Sequence, residues 1–277
     1  MGRVRLRILG CGDAFSSGGR LHSSFLLEDQ EHLLLLDCGA STLAALKRER
    51  IDPGRIGWVV VSHLHGDHFG GLPWLLLDGI FRRAQPLRIA GPPGVRSRVE
   101  LVFAAFYPAA RSSPVGADRD PGDAERDRPQ SDGERGAPAE PASVGASSGS
   151  VGYLELSAER PLQLGSARVS AFPVLHECGA PPFALRVELG GKVIAYSGDT
   201  EWTDALIDAA RGADLFICEC SSLDRSVPGH MDYLTLKAKR PSLDCRRLLL
   251  THLGEDVLAR RSELEFETAH DGMVIEL

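Results

Sequence analysis

The sequence is short of several features, and each shortage excludes something. None of its uncharged apolar runs approaches the roughly 18–20 residues that a membrane-spanning helix requires, so no membrane partner is expected. Its opening, MGRVRLRILGCGDAF, holds no apolar stretch long enough for a secretory leader. A soluble, cytoplasmic protein is the expectation. There is no excess of positive charge: 31 Lys and Arg stand against 38 Asp and Glu, a net charge of −7. A broad basic field for tight, non-specific nucleic-acid binding is therefore not expected, although a local basic groove stays open. Cysteine is sparse, with 6 in 277 residues and no disulfide framework in their spacing, which suits a reducing compartment. Cys218 and Cys220 form a CxC within an apolar run and read as packing residues.

Apolar residues make up 43% of the chain, enough for a sizeable core. The pattern predicts a strand at Val4–Leu9, a glycine-bearing loop, and a hairpin of Phe25–Glu28 with His32–Asp37. A helix over Ser41–Arg50, a strand at Trp58–Ser62, a helix over 70–83, a strand at Leu87–Ala90 and a helix over Val95–Tyr107 follow. From about 108 to 152 the composition turns to Pro, Gly, Ser, Ala and mixed charge, with almost no large apolar side chain. Such a segment cannot bury enough surface to offset its ordering entropy, so it reads as a disordered insertion in one domain spanning 1–277. A partner-recruiting arm is the alternative. Strands resume at Tyr153–Leu156 and Ala167–Val174, then a hairpin of Phe183–Leu189 with Lys192–Tyr196. The rhythm continues through helix Trp202–Ala210, strand Asp214–Cys218, helix Met231–Arg240 and strands Arg247–Leu250 and Met273–Glu276. Alternating strands and helices predict an α/β fold with its chemistry at strand ends.

The densest chemistry lies in VVVSHLHGDHFGG, where His63, His65, Asp67 and His68 fall within six positions after a β-run. In extended chain His63 and His65 point to one side and can reach one metal. The turn at Gly66 lets Asp67 and His68 face a second position. Imidazole suits zinc and similar ions, and a carboxylate compensates charge. Further donors stand where other apolar runs stop: His176, Asp199 in YSGDT, and His252 after LLLT. Each alone would pass for a hydrogen-bonded loop residue. Together they supply the donor count of a two-metal site.

These features resemble the metallo-β-lactamase superfamily. HLHGDH matches its HxHxDH motif, and a later His, an SGDT-like aspartate and a C-terminal LTH follow in the same order. The resemblance implies a four-layer αβ/βα sandwich, two mixed β-sheets packed face to face with helices outside. It implies two divalent metal ions, zinc being expected and manganese or iron the alternatives. His63, His65 and His176 would hold one ion, Asp67, His68 and His252 the other, and Asp199 would bridge them. Within the superfamily, LGCGDAFSSGGRLHSS, LLLLDCGA and GHMDY resemble motifs of ribonuclease Z and related phosphodiesterases. That likeness makes Asp37 a brace behind the ligands and His230 a catalytic or phosphate-contacting residue. Ser23, Ser24 and the amides of Gly10–Gly12 become candidate phosphate contacts, and His22 a further group near the site. His32 and His270 read as ordinary turn residues. Ribonuclease Z carries a long basic arm between its third metal histidine and bridging aspartate. Here about 22 residues separate His176 from Asp199, room for a hairpin only. Short-armed relatives, such as the cyclic phosphodiesterase of phosphonate breakdown, are more similar in design.

The resemblance thus implies hydrolysis of a small or cyclic phosphate ester, or of an RNA end, by metal-activated water. Asp67 would position that water and His230 would protonate the leaving alkoxide. A same-fold hydrolase of a lactone, thioester or β-lactam is the alternative within the fold. A metal-binding interaction protein without catalysis is the alternative outside enzymology. A homodimer is compatible with the resemblance, although no interface pattern stands out.

Overall fold

The computed structural model describes residues 3–29, 33–82, 85–108 and 151–277. The expected insertion lies outside these residues except at its edges, and the strand placed from Tyr153 already begins at Val151. His32 also falls outside them.

The described strands form two mixed sheets of seven strands each. One holds β1 (Arg5–Gly10), β2 (Ser24–Glu28), β3 (Leu33–Leu36), β4 (Ile56–Val60), β5 (Leu87–Gly91), β6 (Val151–Glu155) and β14 (Val274–Glu276). Its order is β14-β1-β2-β3-β4-β5-β6. The other holds β7 (Leu162–Leu164), β8 (Ala167–Pro173), β9 (Phe183–Leu189), β10 (Lys192–Tyr196), β11 (Leu215–Glu219), β12 (Leu248–Thr251) and β13 (Glu267–Thr268). They lie in the order β13-β12-β11-β10-β9-β8-β7. Helices α1 (Thr42–Arg48), α3 (Leu72–Arg82) and α4 (Val95–Phe106) cover the first sheet, and α5 (Ala205–Ala210), α6 (Tyr233–Lys239) and α7 (Glu255–Ala259) the second. A single turn, α2 (Gly66–Phe69), follows β4.

Side-chain alternation produces this layering. In β3, Leu34 and Leu36 join the core between the sheets while Leu33 and Leu35 pack under the helices. In β11, Leu215 and Ile217 face the sheet–sheet core, and Phe216 and Cys218 face α5 and α6. A strand covered on both faces is apolar at nearly every position, which is why these read as almost unbroken apolar runs. Each fully buried Leu or Ile contributes about 1.5–3 kcal/mol relative to exposure. Cys218 and Cys220 are both fully buried and serve as packing residues.

The direction of the strands positions the site. Strands β3, β4 and β5 run parallel, as do β10, β11 and β12. Their C-terminal ends therefore open on one edge of the sandwich, as ligand-bearing loops of α/β folds do. Antiparallel β9 and β10 fill the interval between His176 and Asp199 with the anticipated hairpin. Four elements were not legible in advance: α2, β7, α7 and β13. They hold 4, 3, 5 and 2 residues, too few to show a period.

Candidate active site

Strand ends converge on one point. His63 and His65 lie just past β4, and Asp67 and His68 sit in α2. His176 follows β8, Asp199 follows β10, and His252 directly follows β12. The turn out of β10 needs Gly198, whose φ of 59° is the left-handed region and whose absent Cβ would stand 2.9 Å from the Phe183 carbonyl. His252 takes a φ of 56° without being glycine, and its amide donates to the Cys11 carbonyl at 3.0 Å.

Beneath the cluster, Asp37 is fully buried and accepts four hydrogen bonds. They come from the Ser62 amide (2.7 Å), the Ser62 hydroxyl (2.8 Å), the Tyr196 hydroxyl (2.8 Å) and His68 Nδ1 (2.7 Å). Because the Ser62 hydroxyl donates to Asp37, its oxygen accepts from His63 Nδ1 at 3.0 Å. His176 Nδ1 donates to the Gly229 carbonyl at 2.8 Å. In all three rings the proton is held on Nδ1, so Nε2 offers its lone pair toward the cluster.

Those lone pairs are short of partners. His63 Nε2, His68 Nε2 and Asp199 Oδ1 are buried and make no hydrogen bond. His68 Nε2 lies 3.2 Å from both Asp67 Oδ2 and Asp199 Oδ1, and His252 Nε2 lies 3.2 Å from Asp67 Oδ2 and Asp199 Oδ2. Atoms this close that mostly fail to pair with one another surround a common centre. Buried polar atoms are rarely left unsatisfied, and a cation at that centre satisfies them. Donor atoms of His63, His65 and His176 lie within 4.8 Å of one another, and those of Asp67, His68, Asp199 and His252 form a second such group. The residues therefore fit divalent metal ions.

Electrostatics agree. Burial opposes ionisation of Asp199, but the facing His252, His68 and His63 hold its carboxyl well below the usual range. Burial, reinforced by the neighbouring His68, His176 and His65, pushes His63 well down against the pull of Asp199. His252 moves the other way, to about 9, because Asp199 and Asp67 outweigh the cost of burying its charge. Without a metal, the carboxylates draw protons onto neighbouring imidazoles; a divalent cation supplies the same positive charge.

His230 stands at the mouth of the cluster. Its ring stacks on His252 (centroids 5.5 Å apart, 16° between planes) and meets His176 edge-on at 4.8 Å. Its Nδ1 lies 3.2 Å from Glu219 Oε2. Burial lowers the His230 pKa, but the Glu219 hydrogen bond and the charges of Glu219 and Asp199 raise it overall. Sequence reading missed Glu219. It lies within the LFICEC run that reads as core, and it is fully buried, its other oxygen accepting the Thr200 amide. The signal was there: a carboxylate in a buried strand needs partners.

The cluster opens into a cleft of about 650 Å³ lined by Phe15, His65, Asp67, Asp199, Arg225 and His230 among others. A second, of about 640 Å³, runs past His176 and Glu201 and shares His65 and His230 with the first.

Ser23 and Ser24 are not at this site. Both are fully buried, their hydroxyls donating to the Gly12 carbonyl and the Asp37 carbonyl, each at 3.3 Å. The glycine loop is equally committed: the Gly12 amide bonds to Leu21 (2.7 Å) and the Cys11 amide to Asp271 (3.1 Å). These groups shape the fold instead of meeting phosphate. His22 lines neither cleft and pairs with Ser16 at 3.2 Å. His270 is exposed, as anticipated.

Comparison with known proteins places this architecture. A family model described as β-lactamase superfamily domain matches residues 130–253, and one described as anti-Pycsar protein Apyc1 matches residues 4–99. Ribonuclease Z of Methanosarcina acetivorans is 29% identical over 280 residues, covering 91% of this chain and 88% of its own. The uncharacterised protein ML1173 of Mycobacterium leprae is 30% identical over 281 residues, covering 95% and 84%. The crystal structure of the metallo-β-lactamase fold protein YhfI from Bacillus subtilis superposes with a TM-score of 0.71 at 21% identity, covering 99% and 100%. The chain belongs to the metallo-β-lactamase superfamily, as a ribonuclease Z-like metallohydrolase.

Proposed function

We propose that this protein is a binuclear phosphodiesterase of the cytoplasm, its whole chain one catalytic domain, that hydrolyses a small or cyclic phosphate ester or an RNA end. In this reading His63, His65 and His176 would hold one ion and Asp67, His68 and His252 the other, with Asp199 a donor available to both. Three-histidine ligation favours zinc. When bound, such a pair acidifies water and polarises a phosphoryl oxygen.

The remaining work falls to the chain's own residues. Asp67, largely buried but lining the cleft, orients the attacking water by accepting its hydrogen bond. His230 protonates the departing alkoxide. The observation that carries the proposal is the Glu219–His230 pair: a buried carboxylate holds Nδ1 of an imidazole at the cluster mouth. That leaves Nε2 without a partner among the described residues. An ester of a phosphoric acid needs such a donor because its alkoxide leaves poorly. The kinship with an enzyme named ribonuclease Z supports the same chemistry.

Hydrolysis of bis-p-nitrophenyl phosphate by metal-loaded protein tests it. Turnover should depend on metal and fall by about 10²–10⁴-fold in Asp67→Ala; His230→Ala should lose as much on an alkyl phosphodiester but little here, because nitrophenolate departs without a proton. Absence of turnover with metal bound would overturn the phosphate reading in favour of a lactone or thioester substrate.

A further inference from the structure

Phe15 is 88% exposed, whereas Phe25, Phe183 and Phe216 are buried. It projects into the same cleft as His65, Asp67 and Asp199. The loop that carries it is pinned on both sides. Asp13 accepts the Phe15 amide (3.2 Å), the Ser17 amide (2.8 Å) and the Ser17 hydroxyl (2.6 Å). The Gly18 amide reaches across to Glu255 at 3.0 Å. A loop held this firmly keeps the ring in the cleft instead of letting it fold back onto the core.

The wall around the ring is mostly apolar, with charged groups set into it. Its carboxylates are already engaged by backbone: Glu255 by Gly18, and Asp256 by the Leu223 (3.2 Å) and Val257 (2.9 Å) amides. Arg225, exposed on the loop that leads to His230, lines the same cleft and has no carboxylate partner among the described residues. The cleft thus offers one rigid aromatic face and one uncommitted cation. They suit a planar, hydrogen-bonding ring joined to an anion. The two clefts meet at His65 and His230, so a phosphorus placed there has room for a substituent on each side.

We infer that Phe15 is a specificity-determining residue of this site, stacking the base of a nucleoside phosphodiester while Arg225 answers the substrate's negative charge. The inference rests on the phosphodiesterase reading and deepens it. Stacking on an exposed aromatic ring is sequence-tolerant, since every base presents a π-face.

Two esters with one leaving group separate the contributions: the p-nitrophenyl ester of thymidine 5′-phosphate and methyl p-nitrophenyl phosphate. The metal-loaded full chain should prefer the thymidine ester. Phe15→Ala should raise its KM about tenfold or more with kcat held, leave the methyl ester unchanged, and keep the melting temperature. Phe15→Trp should restore the preference. Arg225→Gln should raise KM for both esters alike. An unchanged thymidine KM in Phe15→Ala, an equal change for both esters, or a lowered melting temperature would overturn the inference while the phosphodiesterase reading stood. Wild-type protein that turns over neither ester would overturn both.

Discussion

Asp37 shows how one buried carboxylate can organise several candidate metal donors. It touches none of the donor lone pairs, yet it sets the tautomer of His68 directly and of His63 through Ser62. Replacing it with asparagine keeps the volume but presents an N–H to groups that already donate. Metal affinity in Asp37→Asn should fall by about 10–100-fold, measured by competition with a chromophoric chelator. An unchanged affinity would mean that the rings are oriented by packing alone. The residue scale is also where reading the sequence alone fell short. Glu219 escaped notice because a single acid in an apolar run looks like an edge position; only its full burial beside His230 gives it a role. Ser23 and Ser24 failed the opposite way. Small hydroxyl residues near a glycine loop suggest phosphate, but theirs are occupied by backbone carbonyls.

At the scale of elements, the HLHGDH loop is wedged against its neighbours. A Cβ on Gly39 would stand 2.3 Å from the Asp67 carbonyl and 2.5 Å from His22 Cβ. The Cys38 amide meanwhile holds the His68 carbonyl at 2.6 Å, tying the end of β3 to α2. Gly39→Ala must therefore push α2 outward, at about 1–3 kcal/mol for such overpacking. Its melting temperature should drop and its metal content should fall with it; an alanine variant with both intact would show that the loop has slack. The long strands and helices were legible because unbroken apolar runs and helical spacing extend over whole elements. The one-turn α2 was not, although it carries Asp67 and His68, because four residues hold no period.

For the molecule as a whole, the two sheets contribute different halves of the site. The first brings His63, His65, Asp67 and His68; the second brings His176, Asp199, Glu219 and His252. Tyr196 links them, its hydroxyl reaching Asp37 from the second sheet and its ring packing 5.1 Å from Phe25 of the first. Metal binding should accordingly stabilise the whole sandwich. At a thousandfold excess over Kd, mass action supplies about 4 kcal/mol, so chelation should lower the melting temperature by on the order of 10 °C. The metal-free protein should also respond to pH. His252 is raised to about 9 when folded, so its contribution is complete below the ordinary histidine range and is lost as pH rises through about 9. Calorimetry with and without chelator across that interval should show an alkaline decline in the metal-free protein alone. Equal curves would mean that no cation occupies the cluster.

By itself the sequence determined which residue types are available and at which strand ends they stand, because periodicity and donor spacing are local properties. It also determined the layering, since strands buried on both faces are apolar almost throughout. Tertiary structure decided what those residues meet. Whether Glu219 finds His230, whether Ser23 faces a cleft or a carbonyl, and whether Phe15 is buried or held out beside Arg225 depend on contacts between segments far apart in the chain. Such contacts form only when the sheets close on each other, and no local pattern encodes them.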